Sequence, residues 1–589
     1  MKNRNQEALE YHAKGRPGKI EVVPTKPYSS QRDLSLAYSP GVAEPCKMIQ
    51  ENADEVYKYT TKGNLVAVIS NGTAVLGLGN IGPEASKPVM EGKGLLFKIF
   101  ADIDVFDIEI DQEDVDEFVK TVIAISPTFG GINLEDIKAP ECFEIEKQLK
   151  QKLRIPVMHD DQHGTAIISA AALINALELA EKDIDKIRIV VNGAGASAIS
   201  CTKLYLSLGA KSENIVMLDS TGVIRKDRET LDGHKQLFAT GRDINTLEEA
   251  IKDADVFIGL SKGNILTPEH LQSMASKPIV FALANPDPEI SYELAHSSRE
   301  DIILATGRSD HPNQVNNVLG FPFIFRGALD VRATQINEDM KLAAVNAIAQ
   351  LAKETVPEIV NLAYNKKNLA FGHDYIIPKP LDPRLIAAVA PAVAKAAIDS
   401  GVAQETIHNW EAYENELNKR LGLDNKLIRV ITSRAKQNPQ RVVFAEADTY
   451  KILKAAQIVN DEEIAKPILL GNEEKIRALI EEHNLDIGDM PIINPRKDSE
   501  NLDYFGELFF NKQKRSGFNY YEARKIMKER NYYGAMMVET GQADALISGL
   551  TRKYSDTIRP ALQIIGTQED VSKVAGMYVM VTKRGPIFF

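Results

Sequence analysis

The stretch Val157-Met158-His159-Asp160-Asp161-Gln162-His163-Gly164-Thr165-Ala166 joins two apolar runs of different character. Residues 154–158 predict a short buried strand, and the alanines, isoleucines and leucines after Gly164 predict a helix. The two aspartates therefore stand where a strand ends and a helix begins, which in open α/β sheets is the edge where ligands bind. Adjacent carboxylates repel each other, so this pair needs a cation, a proton or a hydrogen-bond network.

A second acidic pair, in Leu134-Glu135-Asp136-Ile137, follows a Gly-Gly turn upstream. If both pairs lie at one sheet edge, three or four carboxylates converge from two loops. Carboxylate oxygens are the ligands that hard divalent cations prefer, so the pattern predicts a site for Mg²⁺ or Mn²⁺.

The composition is typical of a globular protein, with 44% apolar and 26% charged residues in a chain of 589. This length predicts about three or four domains. A net charge of −12 and the lack of a basic cluster argue against a nucleic-acid partner. The sequence has no run of about 18 apolar residues that would predict a transmembrane helix or a membrane partner.

The N-terminal residues 1–7 are polar and lead into no apolar signal core. The three cysteines, Cys46, Cys142 and Cys201, have neither metal-ligand nor disulfide-framework spacing. We therefore expect packed, reduced thiols in a cytoplasmic protein.

Three regions differ in their sequence pattern. The first mixes short strands with glycine-rich turns, and the second alternates strand and helix patterns, which predicts a doubly wound parallel sheet of the Rossmann type. A polar, helix-prone connector precedes a third α/β region. The predicted α/β domains are residues 1–160, 161–400 and 438–589, with a linker over 401–437, and the predicted strands of the second region are 187–191, 215–218, 256–259, 279–283 and 302–305.

The glycine loop Asn192-Gly193-Ala194-Gly195-Ala196-Ser197-Ala198 follows a predicted strand and opens a predicted helix. Glycines at the first two positions allow a tight turn and the close approach of a pyrophosphate to the helix N-terminus. With Asp219 at the end of the next strand, the context favours dinucleotide binding. The alternative is a tight strand–helix turn without a ligand.

The residues after Asp219 leave the choice of dinucleotide open. An acid at this position favours the ribose 2′-hydroxyl of NAD. Arg225, Lys226 and Arg228 follow and offer charges for the 2′-phosphate of NADP, although a solvated basic loop has the same pattern.

Three further motifs carry residue types suited to catalysis. Lys93 lies between two glycines before an apolar run, where desolvation would lower its pKa and make it a base, whereas an isolated lysine of this kind is ordinarily a surface residue in a turn. Tyr38 precedes a Ser-Pro-Gly turn and is either a proton donor or a core ring. Asn285, in an Asn-Pro-Asp-Pro-Glu turn, and Asn317 offer amides to a substrate carboxylate, or simply serve turns.

These motifs occur together in one order: Tyr-Ser-Pro-Gly at Tyr38, Glu-Gly-Lys-Gly at Lys93, Leu-Glu-Asp at 134–136, the stretch 159–166, the glycine loop, and the two asparagine motifs. In this order the chain resembles malic enzyme over about residues 10–400. Region three, with Ser548-Gly549-Leu550 and the stretch 556–563, looks like the first part of a phosphotransacetylase domain. The combination is similar to the bacterial hybrid malic enzymes, which are usually NADP-dependent.

The resemblance implies oxidative decarboxylation of malate to pyruvate with NADP, or alternatively NAD, and with Mg²⁺ or Mn²⁺. It makes residues 1–160 the malic domain, and it implies a homo-oligomer, with acetyl-CoA as an effector of the complete architecture. The roles it implies are metal ligation by Glu135, Asp136 and Asp161; Lys93 as general base and Tyr38 as general acid; malate contacts by Asn285 and Asn317; and cofactor binding by Gly193, Ala194, Gly195, Ala196, Ser197, Ala198, Asp219 and Asn285.

One departure from the family pattern concerns the substrate. Larger malic enzymes carry an arginine before a Leu-Gly-Leu-Gly turn, and it grips a substrate carboxylate. Here the turn reads Asn71-Gly72-Thr73-Ala74-Val75-Leu76-Gly77-Leu78-Gly79-Asn80, with no arginine. The second carboxylate contact is therefore unassigned, as in the small bacterial class.

Two rival functions and one expectation about control follow from the sequence. The rivals are a metal-free dinucleotide dehydrogenase and an acetyl-CoA-binding regulatory module with a silent dehydrogenase half; the clustered acids argue against the first, and the intact Tyr38 and Lys93 against the second. The apolar end at residues 585–589 predicts an interrupted fold. We therefore expect this chain not to respond to acetyl-CoA.

Overall fold

The computed structural model of the chain describes residues 2–13, 15–75, 77–229, 231, 233–366, 368–421, 426–483, 485, 487–568, 571–582 and 585–588. Leu76 of the glycine-rich turn and Phe589 at the apolar end lie outside the described residues. The chain forms two compact units, Met1–Leu423 and Asp424–Phe589.

Unit 1 contains two parallel sheets. The first has the strand order β2-β1-β3-β4, with β1 (Leu65–Ser70), β2 (Asp104–Glu109), β3 (Gly131–Leu134) and β4 (Val157–His159). All of its pairs are parallel. Every residue of β1 is buried, which is why this strand reads as a continuous Leu-Val-Ala-Val-Ile run rather than an alternating one.

The second sheet has the order β10-β9-β8-β5-β6-β7, the doubly wound order in which the first and fourth strands are neighbours. Its strands are β5 (Ile189–Asn192), β6 (Ile215–Asp219), β7 (Gly222–Val223), β8 (Val256–Gly259), β9 (Ile279–Ala282) and β10 (Ile303–Thr306). Only β7 pairs antiparallel among these described strands. The predicted α/β class and Rossmann-type sheet are confirmed.

The helices of unit 1 lie before, between and after these strands. They are α1 (Lys2–Ala13), α2 (Gln31–Ala37), α3 (Ala43–Glu51), α4 (Val56–Tyr59), α5 (Pro83–Ala101), α6 (Val115–Ile125), α7 (Glu141–Lys152), α8 (Asp160–Ala180), α9 (Ala196–Ser207), α10 (Gly233–Gln236), α11 (Leu247–Ile251), α12 (Pro268–Ser273), α13 (Tyr292–Ser298), α14 (Phe321–Asp330), α15 (Glu338–Lys353), α16 (Glu358–Ala363), α17 (Leu385–Asp399) and α18 (Trp410–Arg420).

Helix α8 joins the two sheets of unit 1. It continues directly from β4, and its apolar residues share one core with strands of both sheets, including Val66, Met158 and Val191. Its length and mean hydropathy of 1.3 satisfy the criteria for a membrane span, but 72% of the apolar window is buried inside the fold. The helix is therefore packed as a core element of unit 1.

Part of the predicted linker 401–437 packs onto unit 1. Leu417 of α18 is fully buried in the core of that unit. The hydroxyl of Tyr413 donates to Asp330 at 2.7 Å. Residues 410–420 thus form a helix held to unit 1, because their apolar side chains find a partner surface there.

Unit 2 is a smaller α/β unit with a parallel sheet in the order β13-β12-β11-β14 and a separate antiparallel hairpin, β15-β16. Phe505, Phe509 and Tyr533 lie in its core. Its elements are α19 (Lys426–Gln437), β11 (Gln440–Phe444), α20 (Tyr450–Asp461), β12 (Ala465–Leu470), α21 (Glu473–Glu482), β13 (Ile492–Ile493), α22 (Ser499–Gln513), α23 (Tyr520–Ile526), α24 (Arg530–Glu539), β14 (Ala545–Ile547), α25 (Tyr554–Ile564), β15 (Val579–Thr582) and β16 (Gly585–Phe588).

Candidate active site

Two neighbouring strands of the first sheet bring the predicted acids together. Leu134 of β3 pairs with His159 of β4 in parallel register, so the residues that follow each strand emerge at the same edge. Carboxylate oxygens of Glu135, Asp136 and Asp161 lie within 4.8 Å of one another. The sequence prediction that these loops converge therefore agrees with the geometry.

The backbone of the first loop is shaped to meet the second. Asp136 has φ 53°, a left-handed conformation that aspartate adopts more readily than most residues. Its backbone N–H donates to Asp161 Oδ2 at 2.8 Å. One acid is thus positioned by the main chain of another, which fixes the spacing of the carboxylates.

Lys93 enters this group from helix α5 and is buried. Its Nζ donates to Glu135 Oε1 at 2.8 Å and to Asp160 Oδ2 at 2.5 Å. The ammonium also lies 4.1 Å from the centroid of the Phe321 ring, a cation–π distance. Lys93 is therefore a buried residue in the interior of a helix, and the reading as a surface lysine in a turn is wrong.

We call Lys93, Glu135, Asp136, Asp160 and Asp161 the acid cluster. Burial alone would lower the pKa of Lys93, but the charges of Asp160, Glu135 and Asp161 outweigh it, and the net direction is upward. This corrects the sequence expectation of a lowered pKa, which considered desolvation without the surrounding carboxylates. Burial, followed by the neighbouring acids, raises the pKa of both Glu135 and Asp161.

These upward pKa shifts of Lys93, Glu135 and Asp161 reflect burial together with an excess of carboxylates over cations. A single ammonium faces four carboxyl groups, so the acids resist ionising without a further positive charge. A divalent cation bound by oxygen ligands would supply that charge. The donor set of the acid cluster therefore fits Mg²⁺ or Mn²⁺.

Asp160 has a structural partner that the sequence did not reveal. Asn317 Nδ2 donates to Asp160 Oδ2 at 3.1 Å, and Thr165 Oγ1 donates to Asn317 Oδ1 at 3.0 Å. A Cβ at Gly164 would lie 2.3 Å from Asp160 Oδ1 and 2.7 Å from Asn317 Cγ. The glycine of the opening stretch is thus required for Asn317 to reach Asp160.

Behind the acid cluster lies a second polar group, which sequence reasoning missed. His163 Nε2 lies 3.0 Å from both carboxylate oxygens of Glu146, and the backbone N–H of His159 donates to Glu146 Oε1 at 3.0 Å. Glu146 sits in the middle of α7, with no local motif to mark it. Glu146 reaches His159 and His163 only because α7 packs against the 159–163 turn.

The glycine loop has the predicted strand–turn–helix form. Gly193 follows β5 with φ 135°, and a Cβ there would lie 2.7 Å from the carbonyl oxygen of Leu260. At Gly195, the residue before α9, a Cβ would meet no atom within 4 Å, so that side of the loop is open. Ala198, at the third fingerprint position, is buried in α9. Ala194 and Ala196 lie between these positions.

The glycine loop and the acid cluster are in direct contact. Ser197 Oγ donates to the backbone carbonyl oxygen of Asp161 at 2.7 Å. A dinucleotide on the loop would therefore lie beside the carboxylates. The predicted cofactor loop and the predicted metal ligands are thus neighbours in the fold.

Asp219 ends β6, as predicted, and is bound by two cations. Arg228 Nη1 lies 3.0 Å from both of its carboxylate oxygens, and Lys235 Nζ lies 3.2 Å from one. Burial opposes ionisation, but the hydrogen bonds from Thr221, Arg228 and Lys235 lower the pKa of Asp219. We call Asp219, Arg228 and Lys235 the Asp219 corner.

The structure separates the other basic residues of this loop from the corner. Arg225 is committed to Asp227 and Asp243, at 2.7 Å and 2.6 Å. Lys226 is exposed. The second ion pair of Asp219, after that with Arg228, is made by Lys235, which no sequence motif indicated.

Asn285 and Asn317, the two predicted substrate amides, have different surroundings. Asn317 contacts the acid cluster through its hydrogen bond to Asp160. Asn285 follows β9 on the edge that also holds the glycine loop, where its Nδ2 donates to the carbonyl oxygen of Leu283 at 3.4 Å. In the described residues no hydrogen bond joins Asn285 to the acid cluster.

The Asn-Pro-Asp-Pro-Glu turn is shaped by its last residue. Glu289 is fully buried and accepts from the backbone N–H of Ala284 at 3.1 Å. The fixed turn holds Asn285 at the sheet edge. This role of Glu289 was not predicted from the sequence.

Tyr38 is the one predicted catalytic residue that the structure leaves outside the cluster. Its side chain is 77% exposed. Over the part of the chain that the structure describes, it makes no hydrogen bond to any residue of the acid cluster. The glycine-rich turn, in contrast, adjoins the cluster, because the N–H of Ala74 donates to the carbonyl oxygen of Asp136 at 3.0 Å.

Comparison with known proteins gives three matching families. They are "Malic enzyme, N-terminal domain" over residues 17–150, "Malic enzyme, NAD binding domain" over 162–364, and "Phosphate acetyl/butaryl transferase" over 426–589. The matched ranges follow one another along the chain without overlap.

Individual relatives match over nearly the whole chain. It is 50% identical to the NADP-dependent malic enzyme of Escherichia coli (strain K12), covering 99% of this chain and 78% of that protein. It is also 50% identical to the NAD-dependent malic enzyme of Rhizobium meliloti (strain 1021), with coverage of 99% and 77%. The crystal structure of malic enzyme from Pyrococcus horikoshii Ot3 is similar at 43% identity and a TM-score of 0.66, covering 73% of this chain and 99% of that one.

Proposed function

Because this chain belongs to the malic enzyme family, we propose that it oxidatively decarboxylates (S)-malate to pyruvate and CO₂, with NADP as hydride acceptor and a divalent metal ion. The observation that carries the proposal is the acid cluster, in which Glu135, Asp136 and Asp161 meet within 4.8 Å. Lys93, in the same cluster, donates to Glu135. Ser197 of the glycine loop donates to the backbone carbonyl oxygen of Asp161.

Glu135, Asp136 and Asp161 would hold the metal ion. When bound, the ion would supply Lewis-acid polarisation of the substrate oxygens, and the nicotinamide would supply the hydride acceptor. Asn133 supports this set, because its Nδ2 donates to Glu135 Oε2 at 2.8 Å and fixes the orientation of that carboxylate.

Lys93 is the proposed general base for the C2 hydroxyl of malate. As hydride leaves C2, the hydroxyl proton passes to Nζ of Lys93, so that C2 becomes a carbonyl carbon. Lys93 must be neutral to accept it, and Asp160 lies 2.5 Å from Nζ, within range for direct proton transfer. Asp160 is not among the proposed metal ligands, and its carboxylate thus remains available as the proton acceptor.

Tyr38 is the proposed general acid of the second half of the reaction. After the C4 carboxylate leaves as CO₂, the electron pair of the broken C3–C4 bond forms the C2–C3 double bond of an enolate, and C3 then takes a proton from the phenol to give pyruvate. Asn285 and Asn317 are the proposed malate contacts, and of these Asn317 is already held beside Lys93 through their shared partner Asp160.

Metal dependence tests the core of the proposal. We expect pyruvate formation from malate to cease in EDTA and to return on addition of Mn²⁺. Turnover that persists after exhaustive chelation would instead support the rival function, a metal-free dinucleotide dehydrogenase. Metal content of the chelated protein, measured by atomic absorption, is the necessary control.

NADP is the proposed cofactor because the Asp219 corner has more cations than acids. Arg228 and Lys235 face a single carboxylate, so one positive charge remains to attract a 2′-phosphate. An acid alone at the end of β6 would favour NAD. The ratio of kcat/KM for NADP to that for NAD tests this, and a ratio below one would contradict it.

A regulatory role for unit 2 is a second, separate proposal. It is supported by the family match over residues 426–589 and by a basic cleft of about 460 Å³ lined by Arg496, Lys525, Arg530 and Arg552. Titration of the enzyme with acetyl-CoA tests it: inhibition supports a regulatory unit 2, whereas no response agrees with the sequence expectation. A cytoplasmic homo-oligomer completes the proposal, in accord with the buried thiols of Cys142 and Cys201.

A further inference from the structure

A cavity of about 420 Å³ lies in unit 1 among the four helices α7, α8, α9 and α15. None of the described residues that line it belongs to the acid cluster, the glycine loop or the Asp219 corner. We call it the four-helix cavity. Its volume lies within the usual range of small-molecule sites, about 300–1,000 Å³, so the chemistry of its wall indicates which molecule it holds.

The wall of the four-helix cavity has more cations than acids. Its charged residues are four lysines and two glutamates, namely Lys147, Lys150, Lys203, Lys341, Glu146 and Glu338. Lys147 pairs with Glu144, which is not a lining residue, at 3.5 Å. Three ammonium groups therefore face two carboxylates. Lys203 forms no ion pair within the described part of the chain, and a wall with this imbalance attracts an anion.

Lys341 is the most buried of these cations, at 6% exposure. Its ammonium pairs with Glu338 and lies 3.4 Å from Nδ1 of His163. Burial lowers the pKa of Lys341, the charge of Glu338 opposes that shift, and the charge of Lys150 lowers the pKa further. The two ammonium groups therefore repel each other, and an anion bound near both of them would relieve the repulsion.

A buried donor without a partner lines the same cavity. Gln162 is 2% exposed, and within the described residues its Nε2 has no hydrogen-bond partner. Buried amide groups are nearly always hydrogen-bonded, because leaving one unpaired costs its full desolvation penalty. An acceptor oxygen of a ligand in the cavity would satisfy this amide. The unpaired amide and the excess of ammonium groups thus indicate the same kind of ligand.

The arrangement of the donors favours a phosphate group over a carboxylate. Each of the four helices supplies one donor side chain to the wall: Lys150, Gln162, Lys203 and Lys341. A phosphate has three oxygens that point apart and accept from separate donors, whereas a planar carboxylate is bound best by the fork of an arginine. No arginine is among the described lining residues. The rest of the wall includes the apolar side chains of Phe143, Ile167 and Leu204, which suit a short carbon skeleton.

The four-helix cavity adjoins the turn that carries two members of the acid cluster. Lys150 Nζ lies 2.9 Å from Glu146 Oε1, the oxygen that also accepts from the backbone N–H of His159 at 3.0 Å. Gln162 follows Asp161 directly. A negative charge bound at the lysines would cancel ammonium charges that oppose a cation in the neighbouring acid cluster. Occupancy of the cavity should therefore strengthen metal binding there, and the metal should strengthen occupancy equally.

We propose that the four-helix cavity binds a small phosphomonoester, with the phosphate on Lys203, Lys341 and Gln162, and that its occupancy strengthens metal binding in the acid cluster. The second half rests on the proposed function, because it takes the acid cluster as a metal site. The first half concerns binding alone and is measured without turnover.

Isothermal titration calorimetry with glycerol 3-phosphate tests the site. Saturating NADP is present throughout, so that the probe does not occupy the Asp219 corner. We expect the wild type to bind the probe, and we expect Lys341→Met and Lys203→Met each to raise its Kd about 10–100-fold, because each removes one hydrogen bond to a charged group. Lys203 is exposed, so its variant keeps the test valid if the buried Lys341→Met fails to fold.

Two controls make the binding result specific. Lys186→Met removes a lysine that pairs with Asp183 at the surface, and it should leave the Kd unchanged. Glycerol, which lacks the phosphate, should not bind. Absence of glycerol 3-phosphate binding, or an equal Kd in the wild type and all three variants, would overturn the site. Tighter binding of succinate than of glycerol 3-phosphate would overturn the assignment to phosphate.

Electron paramagnetic resonance of Mn²⁺ tests the effect on metal binding. With saturating glycerol 3-phosphate, and with free Mn²⁺ corrected for its complex with the probe, the Kd for Mn²⁺ should fall at least about five-fold in the wild type. In Lys341→Met the probe should leave that Kd unchanged. An unchanged Kd in the wild type would overturn the link between the cavity and the acid cluster. Failure of the proposed function gives a different result, which is no binding of Mn²⁺ with or without the probe.

Discussion

The acid cluster and the Asp219 corner lie in the same unit and have opposite imbalances of charge. In the cluster one ammonium, Lys93, faces the carboxyl groups of Glu135, Asp160 and their neighbours. In the corner one carboxylate, Asp219, faces the two cations Arg228 and Lys235. Both groups are built around acids that stand at the carboxyl ends of strands, namely β3, β4 and β6.

The difference indicates what each place binds. A buried excess of carboxylates raises their pKa values and is relieved by a divalent cation. Hydrogen bonds from Thr221, Arg228 and Lys235 outweigh burial and lower the pKa of Asp219, and the excess of cations leaves positive charge for a phosphate. The sign of the imbalance, rather than the identity of any one residue, distinguishes a metal site from a cofactor site.

Loss of the only ammonium in the cluster should have the largest effect. We expect Lys93→Met to lower kcat by about 10²–10⁴-fold, the usual contribution of a positioned base. Steady-state rates with saturating malate, NADP and Mn²⁺ measure it. Lys87→Met on the same helix, whose Nζ pairs with Asp107 at the surface, is the matched control, and equal losses in both variants would contradict the assignment.

Removal of one carboxylate from the cluster should weaken metal binding while the corner is unaffected. For Asp161→Asn we expect a rise of at least about 10–100-fold in the Mn²⁺ concentration needed for half-maximal activity. In the wild type, Mn²⁺ at 100 times its Kd should also stabilise the fold by about 2.7 kcal/mol, and this stabilisation should be lost in the variant. Unchanged Mn²⁺ binding by electron paramagnetic resonance would contradict the ligand role.

Removal of one cation from the corner should change cofactor choice and leave metal binding unchanged. We expect Arg228→Ala to lower kcat/KM for NADP relative to NAD by about 10–100-fold, which corresponds to one charge-assisted hydrogen bond of about 1.5–3 kcal/mol. Arg225→Ala is the control, because Arg225 pairs with Asp227 and Asp243 instead of Asp219. A similar loss from Arg225→Ala would show that general charge, rather than the corner, selects NADP.

The smallest expected effect concerns the stability contributed by Asp219. Its pKa is lowered in the folded chain, so its ionised form stabilises the fold above the unfolded value of about 3.9, and this contribution is lost as pH falls through the folded value. The difference in Tm between wild type and Asp219→Asn should stay constant from about pH 8 to 5 and narrow only below about pH 4. A difference that has vanished by pH 6 would be inconsistent with a depressed pKa.

Most secondary structure was predictable because it depends on local periodicity. The buried runs at β5, β6, β8, β9 and β10 were located within about two residues, and the glycine loop between β5 and α9 was placed correctly. The edge position of Glu135 and Asp161 also followed from the sequence, because in parallel strands every carboxyl end lies on one side.

Contacts over long separations were not predictable from any local pattern. Asp160 lies 67 residues from Lys93 and 157 from Asn317 in sequence, yet it bonds both. Lys235 reaches Asp219 whereas the nearer Lys226 does not. The direction of the Lys93 pKa was wrong for the same reason, since the number of carboxylates around it is set by packing.

The sequence by itself determined the order of strands and helices, the glycine loop, and the set of acids that stand at strand ends, because each depends on residues adjacent along the chain. The tertiary structure alone decided which acids surround Lys93, which cations hold Asp219, and that Tyr38 is left exposed. These depend on how buried surfaces pack and on the charges that packing brings within a few ångströms, and both are properties of residues far apart in sequence.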